Sequence, residues 1–349
     1  MNRLFYKDKP IIGLDISQTG IKVMALDPSR WSVLGYGSID LDPVKIQKSL
    51  DEGYDYLSKN LRALITEKVI GKVNNNHAVL SIPTSKTYAR TFSLPSSAES
   101  NLKEAIDLEV EQYIPVPVAQ LYVDYEIIDR AKDKITILLC AVPKAIVDAC
   151  VNATRQAGLS VVMVEPSVSA IGRLLTFTED GSLPTVIVDI GPATTDIAIL
   201  DSSIRVTGSV AIGGNTFTLE IAKKLKVPLE NAHQLKVLHG LNVGNSQTKL
   251  VGALEPSLRR IVAETKKVIR YYNERLDNTR KLEQLLVVGS GSSVPGVGDY
   301  FTNAMVMPAR VASPWQILNF GDLKQPAKQI KPRYITVAGL ASVRPKEIW

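Results

Sequence analysis

Two aspartates, Asp15 and Asp189, each close an apolar run and open a short polar turn. Ile11-Ile12-Gly13-Leu14 leads into Asp15, and Ile16 and Ser17-Gln18-Thr19-Gly20 follow. Val186-Ile187-Val188 leads into Asp189, and Ile190, Gly191-Pro192-Ala193 and Thr194-Thr195-Asp196 follow. Hydroxyls and the backbone N–H groups of small-residue turns can cradle phosphate oxygens. The carboxylates beside them suit magnesium, which takes oxygen ligands and keeps several waters. Two more stretches carry related chemistry. Gly213-Gly214 precedes a helical pattern, and free N–H groups at a helix N-terminus attract anions. Gly289-Ser290-Gly291-Ser292-Ser293 follows a further apolar run and lets a ligand approach the backbone closely. Each stretch alone is an ordinary turn sequence. In this order and spacing they read as phosphate loops of two repeated halves facing one cleft.

The elements that must position these turns follow from periodicity. β-branched residues flank both aspartate turns, so β-hairpins are expected over 11–26 and 186–200. A third strand is expected over 31–39. Residues 44–69 carry Leu50, Tyr54, Leu57, Leu61, Leu64 and Ile65 at helical spacing, which predicts one amphipathic helix or two. A strand follows over 77–83. Residues 84–159 then read as a compact unit: strand 87–94, helix 101–113, strands 121–129 and 134–142, helix 144–156. Strand 161–164 precedes a helix to 175. Past the second hairpin come strand 203–211, helices 217–225 and 229–239, a polar loop 240–249 and a long helix 254–276. The basic face of that helix, Arg259, Arg260, Lys266, Lys267 and Arg270, reads as solvated surface. Strand 285–288, a helix opening at Val294, a short strand 305–309 and a closing helix 333–343 complete the chain.

Composition narrows the class. The 349 residues are 45% hydrophobic and 22% charged, which is globular. The net charge of +6 allows weak attraction to acidic partners. Aromatic residues make up only 6% and form no stripe with basic ones, so no nucleic-acid partner is expected. Cys140 lies in an apolar run and Cys150 in a helical one. Both read as buried free thiols in a reducing, cytoplasmic compartment, with no zinc pattern. The polar start MNRLFYKDKP is not a signal peptide, and no window approaches the ~20 apolar residues of a membrane span. Any membrane association is therefore expected to go through partners.

The motifs resemble the actin-like ATPase superfamily. GLDISQTGIKV is similar to its first phosphate motif, VIVDIGPATTDIAIL to the second and VVGSGSSVPGV to its adenosine motif. Within the FtsA-like branch, four features resemble the PilM family of type IV pilus assembly proteins. They are the stretch LKEAIDLEVEQYIPVPVAQLYVDYEII, the run KITILLCAVPKAIVDACVNATRQAGLSVVMVEPSVSAIGRLL, the run GGNTFTLEIAKKLKVPLENAHQLK and an end soon after the last helix. The resemblance implies an α/β, actin-like duplicated two-lobed fold with an inserted 1C-type α+β subdomain. It places subdomain 1A at 1–83, 161–185 and 326–349, the inserted 1C at 84–160, 2A at 186–216 and 284–325, and 2B at 217–283.

The same resemblance implies ATP and Mg2+ as cofactors, with hydrolysis weak or absent. Asp15 and Asp189 would face the metal mostly through water. Ser17, Gln18 and Thr19 would offer donors to phosphate from one side, and Gly191, Thr194 and Thr195 from the other. Gly213, Gly214 and Lys236 would close on ribose and phosphates, and Gly289, Gly291 and Ser292 on adenine. Lys22 would neutralise phosphate charge, or else face solvent. Glu165 occupies the place of a polar residue near the attacking water, or else caps the helix after Pro166. His233 replaces a usual glutamate, and Pro192 stands where Gly or Ala is usual. The implied function is a cytoplasmic ATP-binding adaptor at the inner face of the cytoplasmic membrane. It would bind the N-terminal cytoplasmic segment of a PilN-like membrane protein in a groove between 1A and 1C, with the 101–113 helix and Tyr113-Ile114-Pro115 as walls. Other pilus platform or motor ATPase proteins and a homo-oligomer are further partners it allows. An FtsA-like filament-forming division ATPase is the alternative.

Overall fold

In a computed structural model, residues 10–53, 55–242, 248–276 and 279–348 are described. The leader before Pro10, Tyr54 and the middle of the polar loop (243–247) lie outside them.

The chain opens with three antiparallel strands, β1 (Ile12–Ser17), β2 (Gly20–Asp27) and β3 (Ser32–Asp40). The 44–69 pattern forms two helices, α1 (Pro43–Glu52) and α2 (Tyr56–Ala63). Asp42 starts α1 by accepting from Val44 N–H at 2.8 Å, with Pro43 in the first turn, and a left-handed Gly53 stops it. Strands β4 (Ile70–Gly71) and β5 (His77–Ile82) follow. The inserted unit holds β6 (Tyr88–Pro95), α3 (Leu102–Tyr113), β7 (Leu121–Arg130) and β8 (Lys134–Pro143), paired in the order β6-β8-β7. Next come α4 (Lys144–Gln156), β9 (Ser160–Pro166) and α5 (Ser167–Thr178).

The second lobe runs through β10 (Thr185–Ile190), β11 (Thr195–Asp201), β12 (Ser203–Val210), α6 (Gly214–Leu225), α7 (Leu229–Leu238), α8 (Thr248–Arg275), β13 (Gln284–Val288), α9 (Val297–Met305) and β14 (Ala309–Val311). Helix α10 (Ile335–Ala341) returns to the first lobe. The strand expected over 305–309 is displaced. Helix α9 continues to Met305 and is ended by Val306 in a left-handed conformation, so the strand begins at Ala309.

The two large sheets repeat one topology. Their orders are β4-β3-β2-β1-β5-β9 and β12-β11-β10-β13-β14. In each, an aspartate-bearing strand pairs antiparallel with the next strand and parallel with a later one: β1 with β2 and β5, β10 with β11 and β13. This is the actin-like duplication.

The layers follow from which faces are apolar. Helices α5 and α10 lie between the sheets, and one core cluster runs from Met24 and Val79 through Ile171 and Val337 to Ile187 and Leu286. Their crossing is close, because a Cβ at Gly339 would overlap the carbonyl of Ala170. The outer face of the first sheet packs on α1, α2 and α4, and that of the second on α6, α8 and α9. The inserted sheet keeps its own small core with α3, built on Ile106, Val110, Ile135 and Ile137.

Helix α4 follows the inserted sheet in sequence. Its buried residues Val147, Cys150 and Ala153 nevertheless join the first-lobe core, so in packing the helix stands with 1A. Burial pushes the thiols of Cys140 and Cys150 up to about 11 and about 12, and both are free. No helix among the described residues is long and apolar enough to cross a membrane.

Candidate functional site

The cleft between the lobes has a volume of about 90 Å³ and is walled by the two aspartate hairpins. On the first-lobe side, Asp15 lies within the buried stretch of β1. Its Oδ2 accepts from Lys22 Nζ at 2.7 Å and its Oδ1 from Ser81 Oγ at 2.7 Å. Lys22 stands opposite Asp15 in the β1–β2 register and is buried, so it does not face open solvent. Ser17, Gln18 and Thr19 form the turn and line the cleft. Ser17 Oγ donates to the Gly20 carbonyl at 3.0 Å and tightens that turn.

On the second-lobe side, Asp189 and Asp196 are cross-strand partners in the β10–β11 ladder, and both line the cleft. Gly191 and Thr194 line it as well, and the Gly191 N–H closes the turn on the Thr194 carbonyl at 2.9 Å. Thr195 points the other way. It is fully buried and donates from Oγ1 to the Ile212 carbonyl at 2.7 Å, tying the hairpin to the segment before α6. Thr194 lies in the turn before β11 and lines the cleft, whereas Thr195 opens the strand with its hydroxyl turned to Ile212.

The Gly213-Gly214 turn supplies packing in this structure. The N–H of Gly214 donates to the Gly191 carbonyl and that of Asn215 to the Pro192 carbonyl, each at 2.9 Å. Gly213 N–H donates to Thr216 Oγ1 at 3.2 Å. The N-terminal donors expected to meet an anion are therefore engaged by the hairpin. A Cβ at Gly213 would sit 2.5 Å from the Gly191 carbonyl oxygen, which explains the glycine. Pro192 has no N–H to offer, but its carbonyl becomes an acceptor for the helix. Lys236, on α7, is buried behind this turn and donates to Gly214 O and Thr218 Oγ1, each at 2.8 Å. Burial pulls its ammonium down to about 8. Burial, and then Lys236 itself, also lowers His233.

Gly289 and Ser290 reach the cleft from the end of β13, while Gly291 and Ser292 lie buried beneath, with Ser292 Oγ donating to the Gly289 carbonyl at 2.7 Å. Glu165 is not among the cleft residues. It is buried and forked onto Arg173, with Oε1 to Nη1 at 2.8 Å and Oε2 to Nη2 at 2.5 Å, while Nη1 also donates to the Gly339 carbonyl at 3.1 Å. Arg173 lies on α5, two turns beyond Glu165, so the pair knits β9 to the central helices. This geometry corrects the expectation that Glu165 positions a water.

Polar residues that were not expected also line the cleft beside Asp196: Ser167 at the start of α5, Arg333 just before α10 and Thr336 in its first turn. Arg333 is ion-paired with Asp40. Asp196 carried a signal as the second carboxylate of its hairpin. The other three had none, because their place depends on how the central helices dock.

The electrostatics favour a cation. Burial, then the charges of Asp196 and Asp15, push Asp189 up to about 7 against the opposing effect of Lys22. Burial raises Asp196 to about 6, although Ser209 Oγ donates to it at 2.6 Å. A divalent ion would relieve this crowding. Among the described residues no group of three or more His, Cys, Asp or Glu side chains is placed to hold a metal alone. This donor set could hold a magnesium ion mainly through water, and Ser17, Gln18, Thr19 and Thr194 line the same cleft.

A family model for type IV pilus assembly protein PilM matches residues 13–344. The cell division protein FtsA of Pseudomonas aeruginosa is 25% identical over 401 residues, covering 95% of this chain and 88% of that protein. FtsA of Borreliella burgdorferi is 26% identical over 211 residues, and the match spans 55% of this chain and about half (49%) of the relative's length. The match to FtsA of Neisseria meningitidis spans only 19% of that protein. Among solved structures, a PilM–PilN type IV pilus biogenesis complex superimposes with a TM-score of 0.78 at 18% identity, covering 96% of this chain and 98% of the other. MreB5 of Spiroplasma citri bound to AMPPNP superimposes with a TM-score of 0.54 at 14% identity, covering 95% of this chain and 94% of the other. Those likenesses show the actin-like fold, and the family match, which spans nearly the whole chain, shows that it belongs to the PilM family of type IV pilus assembly proteins.

Proposed function

We propose that this protein is a nucleotide-binding adaptor of the type IV pilus assembly platform. In this reading it binds Mg·ATP between its lobes and takes the N-terminal cytoplasmic segment of a PilN-like protein on its inserted unit. Its place is the cytoplasmic face of the inner membrane, reached through that partner. The observation that carries the reading is the pairing of two topologically equivalent aspartates, Asp15 and Asp189, across one cleft in a PilM-family chain. A bound nucleotide supplies phosphates and a metal charge that both lobes can grip. The Ser17–Thr19 turn holds one side, the 191–194 turn the other, and the two carboxylates orient the hydrated ion. Glu165 is committed to Arg173, which favours a clamp that stabilises one lobe arrangement over a hydrolase.

Calorimetric titration with Mg·ATP tests the site. Asp189→Ala is expected to weaken binding by tenfold or more, and equal affinity in both proteins would refute the assignment. Capture by an immobilised PilN-like N-terminal peptide tests the partner.

A further inference from the structure

Among the described residues, two cations line the cleft, Lys22 and Arg333, against three carboxylates, Asp15, Asp189 and Asp196. Positive charge is therefore scarce where phosphates are to sit. The two cations differ in what holds them. Lys22 is buried and paired with Asp15, which is buried too. Drawing its ammonium away would strand that carboxylate without compensation, so the pair stays closed. Arg333 pairs with Asp40, whose side chain is 71% exposed. An exposed carboxylate loses little when its partner leaves, because water replaces it.

Position favours an exchange of partners. Asp40 is the last residue of β3 and stands opposite Gly20 in the β2–β3 register. The next N–H, that of Leu41, donates to the Thr19 carbonyl at 3.0 Å. The Arg333–Asp40 pair thus sits beside the Ser17–Thr19 turn, the first-lobe wall of the cleft.

The backbone that carries Arg333 is fixed to both lobes. It belongs to a short helical turn, Lys331–Tyr334, that leads from the second lobe into α10. On the second-lobe side, Ser293 Oγ donates to the Gln329 carbonyl at 3.2 Å. On the first-lobe side, Tyr334 OH and Ser38 Oγ lie 2.9 Å apart. The Tyr334 ring also packs edge-on against Tyr36, with centroids 5.3 Å apart. The side chain of Arg333 is what remains to move, and its planar fork matches two phosphate oxygens as well as a carboxylate. A di- or triphosphate also brings more negative charge than Asp40, and inside a cleft that charge is screened less than at the surface.

We infer that Arg333 is the phosphate-binding cation of this cleft and that it exchanges the Asp40 carboxylate for a phosphate of the bound nucleotide. Asp40 holds the guanidinium at the edge of the cleft until an anion takes its place. The inference rests on the nucleotide-binding reading and adds to it a residue from outside the two aspartate hairpins. The test is calorimetric titration of the full chain with Mg·ATP, run as a double-mutant cycle. Arg333→Gln is expected to weaken binding about tenfold. Asp40→Asn is expected to tighten it about twofold or more, because it frees the guanidinium, and to change nothing in the Arg333→Gln background. Both substitutions alter a solvent-facing pair, and unchanged circular dichroism checks that the fold persists. A purely structural role for the pair predicts the opposite sign, with Asp40→Asn weakening binding as Arg333→Gln does. Weakened or unchanged binding in Asp40→Asn therefore overturns the exchange, and so does a tightening that persists without Arg333. Wild-type affinity in Arg333→Gln, with Asp189→Ala still weakened, overturns the phosphate role and leaves the nucleotide-binding reading standing. No Mg·ATP binding by the wild type overturns both.

Discussion

Gly289 lies directly against Asp189: a Cβ at position 289 would overlap the Asp189 Oδ1 atom. The glycine also has φ +78° and ψ 178°, a region that side chains other than glycine's rarely adopt. The strand end that reaches the cleft from β13 is thus shaped around the carboxylate of β10, its parallel partner. Gly289→Ala is expected to cost about 1–3 kcal/mol from backbone strain alone and to displace Asp189. Chemical denaturation should show the loss, and Mg·ATP titration should show weakened binding even where the fold persists.

The crowded carboxyls predict a pH dependence. Asp189 and Asp196 are raised in the folded state to about 7 and about 6, from an ordinary value near 3.8. A raised carboxyl stabilises the fold fully below its unfolded value and loses that contribution as pH rises through its folded value. The thermal midpoint of the nucleotide-free protein is therefore expected to gain a contribution as pH falls from about 7.5 toward 5. Asp189→Asn should flatten that slope, and so should saturating magnesium with nucleotide, which favours the ionised form. An unchanged slope in Asp189→Asn would contradict the burial of this group.

Asp15 is neutralised by Lys22 within the same hairpin. Removing one partner of a buried pair leaves a charge without compensation and typically costs 3–5 kcal/mol. Lys22→Met is expected to fall in that range by urea denaturation. Replacing both residues, as Asp15→Asn with Lys22→Met, should recover much of the loss while leaving nucleotide binding impaired.

Glu165 tests binding against structure. Its fork onto Arg173 ties β9 to α5 and, through Arg173, to Gly339 of α10. Glu165→Gln is expected to lower stability by about 1–3 kcal/mol, in the range of a charged hydrogen bond. Nucleotide affinity should stay within about twofold. A tenfold loss of affinity with unchanged stability would return Glu165 to the cleft.

Pro192 offers a gain-of-binding test. Its carbonyl already serves Asn215, and alanine would keep that acceptor while restoring an N–H to the turn. Pro192→Ala is expected to cost under about 1 kcal/mol through the unfolded chain. Calorimetry should then show equal or tighter Mg·ATP binding.

Much of the cleft was legible in the chain. Asp15, Ser17, Gln18, Thr19, Lys22, Asp189, Gly191, Thr194 and Gly289 all sit on turns or strands whose form is local. An apolar β-branched run ending in Asp and small polar residues makes a hairpin tip with few alternatives. The repeat of that pattern also announced the duplicated fold. Two kinds of feature were beyond it. Residues such as Ser167, Arg333 and Thr336 reach the cleft only because α5 and α10 cross at Gly339 between the sheets. Thr195, Gly213, Gly214 and Glu165 have the right chemistry, yet hydrogen bonds with Ile212, Thr216, Gly191 and Arg173 respectively already engage them. Sequence alone determined which groups could hold phosphate and metal, because residue type and strand period are local properties. Tertiary structure decided which of them are free to do so, because a donor or carboxylate is available only where packing has not already given it a partner.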